Sequence, residues 1–334
     1  MTTLETTGNG MRIVTDPTAG TYPAWQPGRK FTLANTVGGF SATAIYDIPA
    51  SEAAGSLLST CQLNSFIWNG VQFARCPDVG SGSGYEIYLV NSTAEAANHR
   101  YNATEPGHFG DSVTIGGRTN LLARALTDAT GKNGIRIVDA CAWIGPGENV
   151  AGLPSLVKAE VLGMINTITY TWGLAGDDHI LQIDNSIVIP TDATIQAFTQ
   201  LSMVPFFHYC PNFGAKPFPN QEWVHMTTGA TRAYAADTST TEVLMNVSAD
   251  QNFACAVVPG PGLLGTGWNT GFAGAGPFPY TNIYSWTIKT YAGGIPAGTV
   301  RAPVGFCFGS RADLIGGGGA VVTAAANLPA AVFP

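Results

Sequence analysis

The 334-residue sequence predicts an all-β protein built from two related β-sandwiches. Three observations carry that prediction. Short runs rich in β-branched and aromatic residues recur along the chain, each bounded by Gly, Pro, Asn or Asp. Charged residues make up 11% of the chain, with 41 Gly and 21 Pro; roughly 25% is usual, and exposed helix faces need Glu and Lys. The third observation is a weak internal repeat.

In chain order, strands are expected at Phe31–Leu33, Ala42–Ile48, Ser65–Phe73, Tyr85–Val90 and Ile135–Ile144. Further strands are expected at Met164–Leu174, Ile180–Ile189, Val204–Tyr209, Glu242–Val247, Phe253–Val258, Tyr284–Tyr291 and Val300–Phe308. Short strands between turns belong to sandwiches or barrels rather than to alternating α/β units. Helices are few and connect strands. Ser51–Ser59, Thr119–Ala129, Pro154–Met164 and Thr191–Leu201 are the candidates, from caps and apolar residues at helical spacing. Gly316–Gly319 reads as a hinge before an apolar tail, Ala320–Pro334.

Shifting the chain by 114 positions brings Ala140-Cys141-Ala142 onto Ala254-Cys255-Ala256, and Tyr170-Thr171-Trp172 onto Tyr284-Ser285-Trp286. Cys and Trp are rare, so keeping a Cys–Trp spacing of 31 in both copies counts for more than overall identity. Read as a duplication, this divides the chain into residues 1–180 and 181–334, with Cys141 and Trp172 in one core and Cys255 and Trp286 in the other.

The net charge is −7 and the N-terminus carries no Lys/Arg cluster, so an electrostatic nucleic-acid arm is not expected. The start also lacks the basic and apolar regions of a signal peptide, and no run approaches the length of a membrane span. Sparse charge on a chain with 45% hydrophobic residues points to a surface covered by other chains. The six cysteines form no CxxC pair and read as buried thiols. Sequons occur at Asn91, Asn102 and Asn246.

Signatures of catalysis fail on named residues. His99, His108, His179, His208 and His225 are isolated, without metal-ligand spacing. The run Gly80–Gly84 carries Gly82 where a nucleophile elbow needs Ser, and Gly316–Gly319 lacks the Lys of a phosphate loop. Glu148 with Glu160, or Glu222 with Asp237, would act as an acid/base pair only if the fold joined them. Asp177, Asp178 and Asp184 are candidates for calcium at a subunit interface, against the plainer reading of a solvated turn. No catalytic residue and no cofactor are expected. The loops Pro211–Trp223 and Leu263–Tyr280 suit contact surfaces, with Trp268, Phe272, Phe278 and Tyr280 as anchors.

Segments such as SFIWNGVQFARCP and GYEIYLVNST, the long Pro/Gly loops, the low charge and TDATIQAFTQL resemble the jelly-roll coat proteins of icosahedral viruses. With no basic arm and an apparent duplication, the chain is more similar to double jelly-roll major capsid proteins than to single-roll coats. One jelly-roll shell domain with a projecting β domain is the alternative. The resemblance implies a structural, non-enzymatic subunit in the virion, forming homotrimers in an icosahedral lattice. It also implies contacts with other virion proteins and an internal membrane beneath the shell. Contacts would come from the aromatic loop and from the tail Leu328–Pro334, including Leu328 and Phe333. A tandem β-sandwich hydrolase acting on glycans, or a carbohydrate-binding protein, is the competing expectation.

Overall fold

A computed structural model describes residues 12–15, 29–48, 62–75, 84–90, 100–102, 114–115, 118–119, 125–128, 134–140, 165–189, 191, 200–208, 220–235, 239–263, 269–272 and 281–334. These residues are almost entirely antiparallel β-structure, as expected for an all-β protein.

Strands β1 (Arg12–Thr15), β2 (Arg29–Val37), β3 (Phe40–Ile48), β4 (Gln62–Trp68) and β5 (Val71–Arg75) form a five-stranded meander in chain order. Next come β6 (Gly84–Val90), β7 (Arg100–Asn102), and the small pair β8 (Thr114–Ile115) and β9 (Arg118–Thr119). They are followed by β10 (Ala125–Asp128), β11 (Gly134–Ala140), β12 (Ile165–Leu174), β13 (Asp177–Ile189) and β14 (Gln200–His208). The rest are β15 (Asn220–His225), β16 (Thr231–Ala233), β17 (Glu242–Val247), β18 (Ala254–Pro259), β19 (Asn269–Phe272), β20 (Thr281–Thr290) and β21 (Gly298–Gly309). A nine-stranded sheet runs β10-β11-β12-β13-β21-β18-β17-β15-β16, and a five-stranded one β19-β20-β14-β6-β7.

Tight turns set the hairpins. Gly38-Gly39, Asn69-Gly70 and Ala175-Gly176 each place both central residues at positive φ, the geometry whose twist matches that of the flanking strands. Asn69-Gly70 cuts the expected single strand Ser65–Phe73 into β4 and β5, because a side chain on either side of this turn belongs to a different strand.

The nine-stranded sheet is covered on both faces. On one, Trp172, Leu181 and Phe306 lie opposite one another across β12, β13 and β21. Phe66 of β4 stacks on Trp172 at 5.8 Å and meets Phe306 and Phe308 edge-on at 4.9 and 4.5 Å. Trp68 closes the cluster against Phe253 at 5.8 Å. The meander and the nine-stranded sheet are thus joined by aromatic rings, the pairing geometry that adds to plain area burial.

The opposite face is covered by the C-terminal segment. Helix α1 (Arg311–Leu314) starts at a capping box in which Ser310 and Asp313 bond each other's backbone N–H. Helix α2 (Ala320–Asn327) carries four alanines and one asparagine, and buries Ala320, Val321 and Ala324. A Cβ on Gly305 would lie 3.2 Å from Ala324 and 3.3 Å from Ile180, so the small residue sets how closely this helix approaches. Gly316 seats on the turn at Gly229, where an added Cβ would fall 2.2 Å from the Gly316 carbonyl oxygen. The expected hinge is therefore a docked corner.

Among the described residues, three bidentate arginine–carboxylate pairs tie strands and segments together. Arg232 holds Glu242 at 2.7 and 2.9 Å, Arg301 holds Asp184 at 2.9 Å, and Arg311 of α1 holds Glu222 of β15 at 2.7 and 3.0 Å. The fork geometry fixes orientation as well as distance.

Two helix expectations need correction. Within the helix expected at Thr119–Ala129, Ala125–Asp128 is a strand, because β11 supplies an antiparallel partner that pairs Leu126 with Ile137. Of Thr191–Leu201, the end at Gln200 and Leu201 is strand, and residues 192–199 lie outside the described residues. The candidates Ser51–Ser59 and Pro154–Met164, up to residue 164, also lie outside them. Residues 180 and 181, the expected division, are neighbours inside β13, which pairs with β12 on one side and β21 on the other. The strands superposed by the shift of 114 are placed differently: β11 and β12 are neighbours, whereas β18 and β20 belong to separate sheets.

Candidate functional site

The ends of these turns gather around one histidine. His179 follows the Ala175-Gly176 turn on β13, and its ring lies 6.0 Å from Trp68 and 5.9 Å from Phe308. Nδ1 is 2.9 Å from the Phe308 carbonyl oxygen. A carbonyl only accepts, so Nδ1 carries the proton and Nε2 is the nitrogen left to accept. Nε2 faces Asp313 Oδ1 at 4.0 Å.

Glycine makes room for this arrangement. Gly309, at φ +152, would drive a Cβ to 2.7 Å from His179 Nδ1 and 2.9 Å from Asp313 Oδ2. Asp313 Oδ2 accepts from Ser310 N and Ser310 Oγ, both at 2.7 Å, which leaves Oδ1 toward the histidine. Asp177 Oδ1 accepts from His179 N at 2.9 Å, and burial pushes the Asp177 carboxyl above its ordinary range. Trp172 Nε1 donates to the Asp178 carbonyl at 3.0 Å and anchors the turn from below.

His179 and Asp313 form a wall shared by two clefts. One, about 680 Å³, is bordered by Asp177, Asp178, Ala312 and Thr323. The other, about 310 Å³, is bordered by Phe40, Trp68, Asn69 and Asn252. Ser310 Oγ donates to Asp313 rather than to His179, so the arrangement lacks the nucleophile–base bond of a serine hydrolase. What it offers is a set of oriented donors and acceptors beside aromatic surface.

The expected site residues are dispersed. Asp177 and Asp178 are in the turn region, but Asp184 sits seven residues along β13 and is held by Arg301. At about 3.3 Å per residue, that puts it roughly 20 Å from Asp177. Among the described residues no three of His, Cys, Asp and Glu are grouped to hold a metal ion. Glu222 is engaged by Arg311, while Asp237, Glu148 and Glu160 lie outside the described residues. His225 Nδ1 accepts from Thr227 N at 3.2 Å, and His208 ends β14; His99 and His108 lie outside.

Among the aromatic anchors, Phe272 ends β19 opposite Asn282. Trp268, Phe278 and Tyr280 lie outside the described residues, as do Cys61, Cys76, Cys141 and Cys210. Trp286 pairs with Met203 in the β14–β20 ladder. Cys255 and Cys307 are buried and in no disulfide, and burial holds the Cys307 thiol well above its ordinary range. Of the sequons, Asn246 is a buried strand residue that accepts from Gln221 at 3.0 Å, Asn102 ends β7, and Asn91 lies outside. The tail folds back on its own chain: Leu328 is buried, Phe333 packs on the core, and Val332 pairs with Arg301.

Sequence reasoning did not single out Asp313, and it treated His179 as isolated. The two are 134 positions apart, so no local spacing could join them. The Ser310–Asp313 capping box was the one local signal that this corner is ordered.

No family model matches the chain, and no curated protein matches it. Among solved structures, the crystal structure of the Slr1438 protein from Synechocystis sp. PCC 6803 is 11% identical. That match covers 93% of this chain and 100% of that one, at a TM-score of 0.33, and carries no argument about fold or function.

Proposed function

We propose that this chain is a structural subunit that associates with copies of itself, as the major capsid protein of an icosahedral virus does. One observation carries the reading: charged residues make up only 11% of the chain, which gives the subunit little to keep it apart from its neighbours. The chain has 15 basic and 22 acidic residues, and three arginines with three carboxylates are spent on bidentate pairs within the fold. Large apolar residues also reach solvent at Phe40, Val188 and Val332. A surface of this kind favours association through shape and area rather than through ion pairs.

In this reading the sandwiches are jelly rolls, two per chain, and three chains form a pseudo-hexagonal tile. The tiles form the shell of a virion, with other virion proteins and an internal membrane as further neighbours. No helix among the described residues is long and apolar enough to cross a membrane.

Light scattering and negative-stain electron microscopy of the purified chain test the proposal. Trimers or closed shells are the expected result. A chain that stays monomeric at high concentration, and in material from its native source, overturns it.

A further inference from the structure

We propose that the cleft between Phe40 and Asp313 binds a neutral hexose unit. This inference is independent of the shell reading, since it rests on the cleft alone. At about 310 Å³ the cleft lies at the small end of ligand pockets and suits one sugar ring. Phe40 stands at its lip, 44% exposed, with its ring set edge-on to Trp68 at 5.5 Å. Trp68 is itself 3% exposed and its Nε1 donates to the Val37 carbonyl at 3.1 Å, so Phe40 rests on a fixed support.

Four planar polar groups border the same space. The side-chain amides of Asn69 and Asn252 make no hydrogen bond among the described residues. His179 keeps Nε2 and Asp313 keeps Oδ1 after their other atoms are engaged. Asn69 is held in place by its positive-φ turn and by its N–H bond to the Ser41 carbonyl at 3.0 Å. Two amides both donate and accept, and the carboxylate oxygen accepts. A ring of neighbouring hydroxyls, each donor and acceptor, complements that set, and its C–H face complements an exposed aromatic ring. The described border holds no Lys or Arg and does hold a carboxylate, which disfavours phosphate and other anions.

Saturation-transfer NMR on the full chain, with glucose, galactose, mannose and N-acetylglucosamine as probes, tests the site. At least one sugar is expected to bind at millimolar concentration. Phe40→Ala and Asn252→Ala should each weaken it by about tenfold, a typical loss for a central contact. Both residues are exposed, so the fold should persist, as circular dichroism will report; if Phe40→Ala unfolds, Asn252→Ala decides. Equal binding of the methyl glycosides assigns the site to the end of a glycan, and binding of reducing sugars alone to a free sugar. The proposal is overturned if no probe receives saturation from the folded chain, if inorganic phosphate displaces the sugar, or if folded variants bind like the wild type.

Discussion

The two faces of the nine-stranded sheet are closed in opposite ways. On one, Trp172, Phe306 and Phe308 reach across to Phe66 and Trp68 of the meander. On the other, Gly305 and Cys307 lie under Ala320, Ala324 and Leu328. Facing sheets stand about 10 Å apart, a gap that only large side chains from both sides can fill. The helix comes closer because its contact residues are small. The aromatic face is therefore sensitive to losing volume, and the helix face to gaining it.

The largest expected effect comes from emptying the aromatic face. Phe66→Ala should cost about 3–5 kcal/mol, since Phe66 is fully buried and touches three other rings. Urea denaturation would measure it, and a loss below that of an ordinary surface change would refute the role given to the ring. Gly305→Val should overpack the helix face and cost about 1–3 kcal/mol by the same measurement. If Val is accepted without loss, the helix is not held at contact distance.

A third substitution sharpens the comparison by going the other way. Asn185 lies on the aromatic face of β13, fully buried, and neither its Nδ2 nor its Oδ1 has a partner. Asn185→Leu should therefore stabilise the fold by about 1–2 kcal/mol, the usual cost of stranded polar atoms. An unchanged or lower denaturation midpoint would show that the amide is satisfied in solution.

The smallest effect lies at the far edge of the sheet. Arg232 holds the Glu242 carboxyl below its usual value of 4.5. A lowered pKa gives stability that is present above that value and lost as pH falls through the folded one. Arg232→Met should thus be less stable than wild type at neutral pH, by under about 1 kcal/mol for a pair this exposed. The two should converge in acid. Parallel pH profiles would exclude the pair as the cause.

Much of the strand pattern was legible because β-branched and aromatic runs fill half-buried pleats; Glu242–Val247 matches β17 residue for residue. Turns were read less well. Asn69-Gly70 is the strongest short hairpin signal, yet the apolar residues on both sides masked it. Asn220–Trp223 looked like the end of a Pro-rich loop, but β17 gives it a partner and makes it part of β15. Ala320–Asn327 was read by its hydropathy as a tail, although alanine is the best helix former. The site was the least legible, because Phe40, Asn69, His179, Asn252 and Asp313 meet only through four turns and the C-terminal corner.

The place of β21 governs how the molecule can be made. Gly298–Gly309 is the last of the described strands, yet it lies between β13 and β18 at the middle of the nine-stranded sheet. Until it has been synthesised, β10–β13 and β15–β18 are two separate sheets, each with an open edge. Such edges are templates for aggregation. A premature stop before residue 298 therefore removes the seam of the protein, and a nascent chain exposes both edges until β21 has left the ribosome.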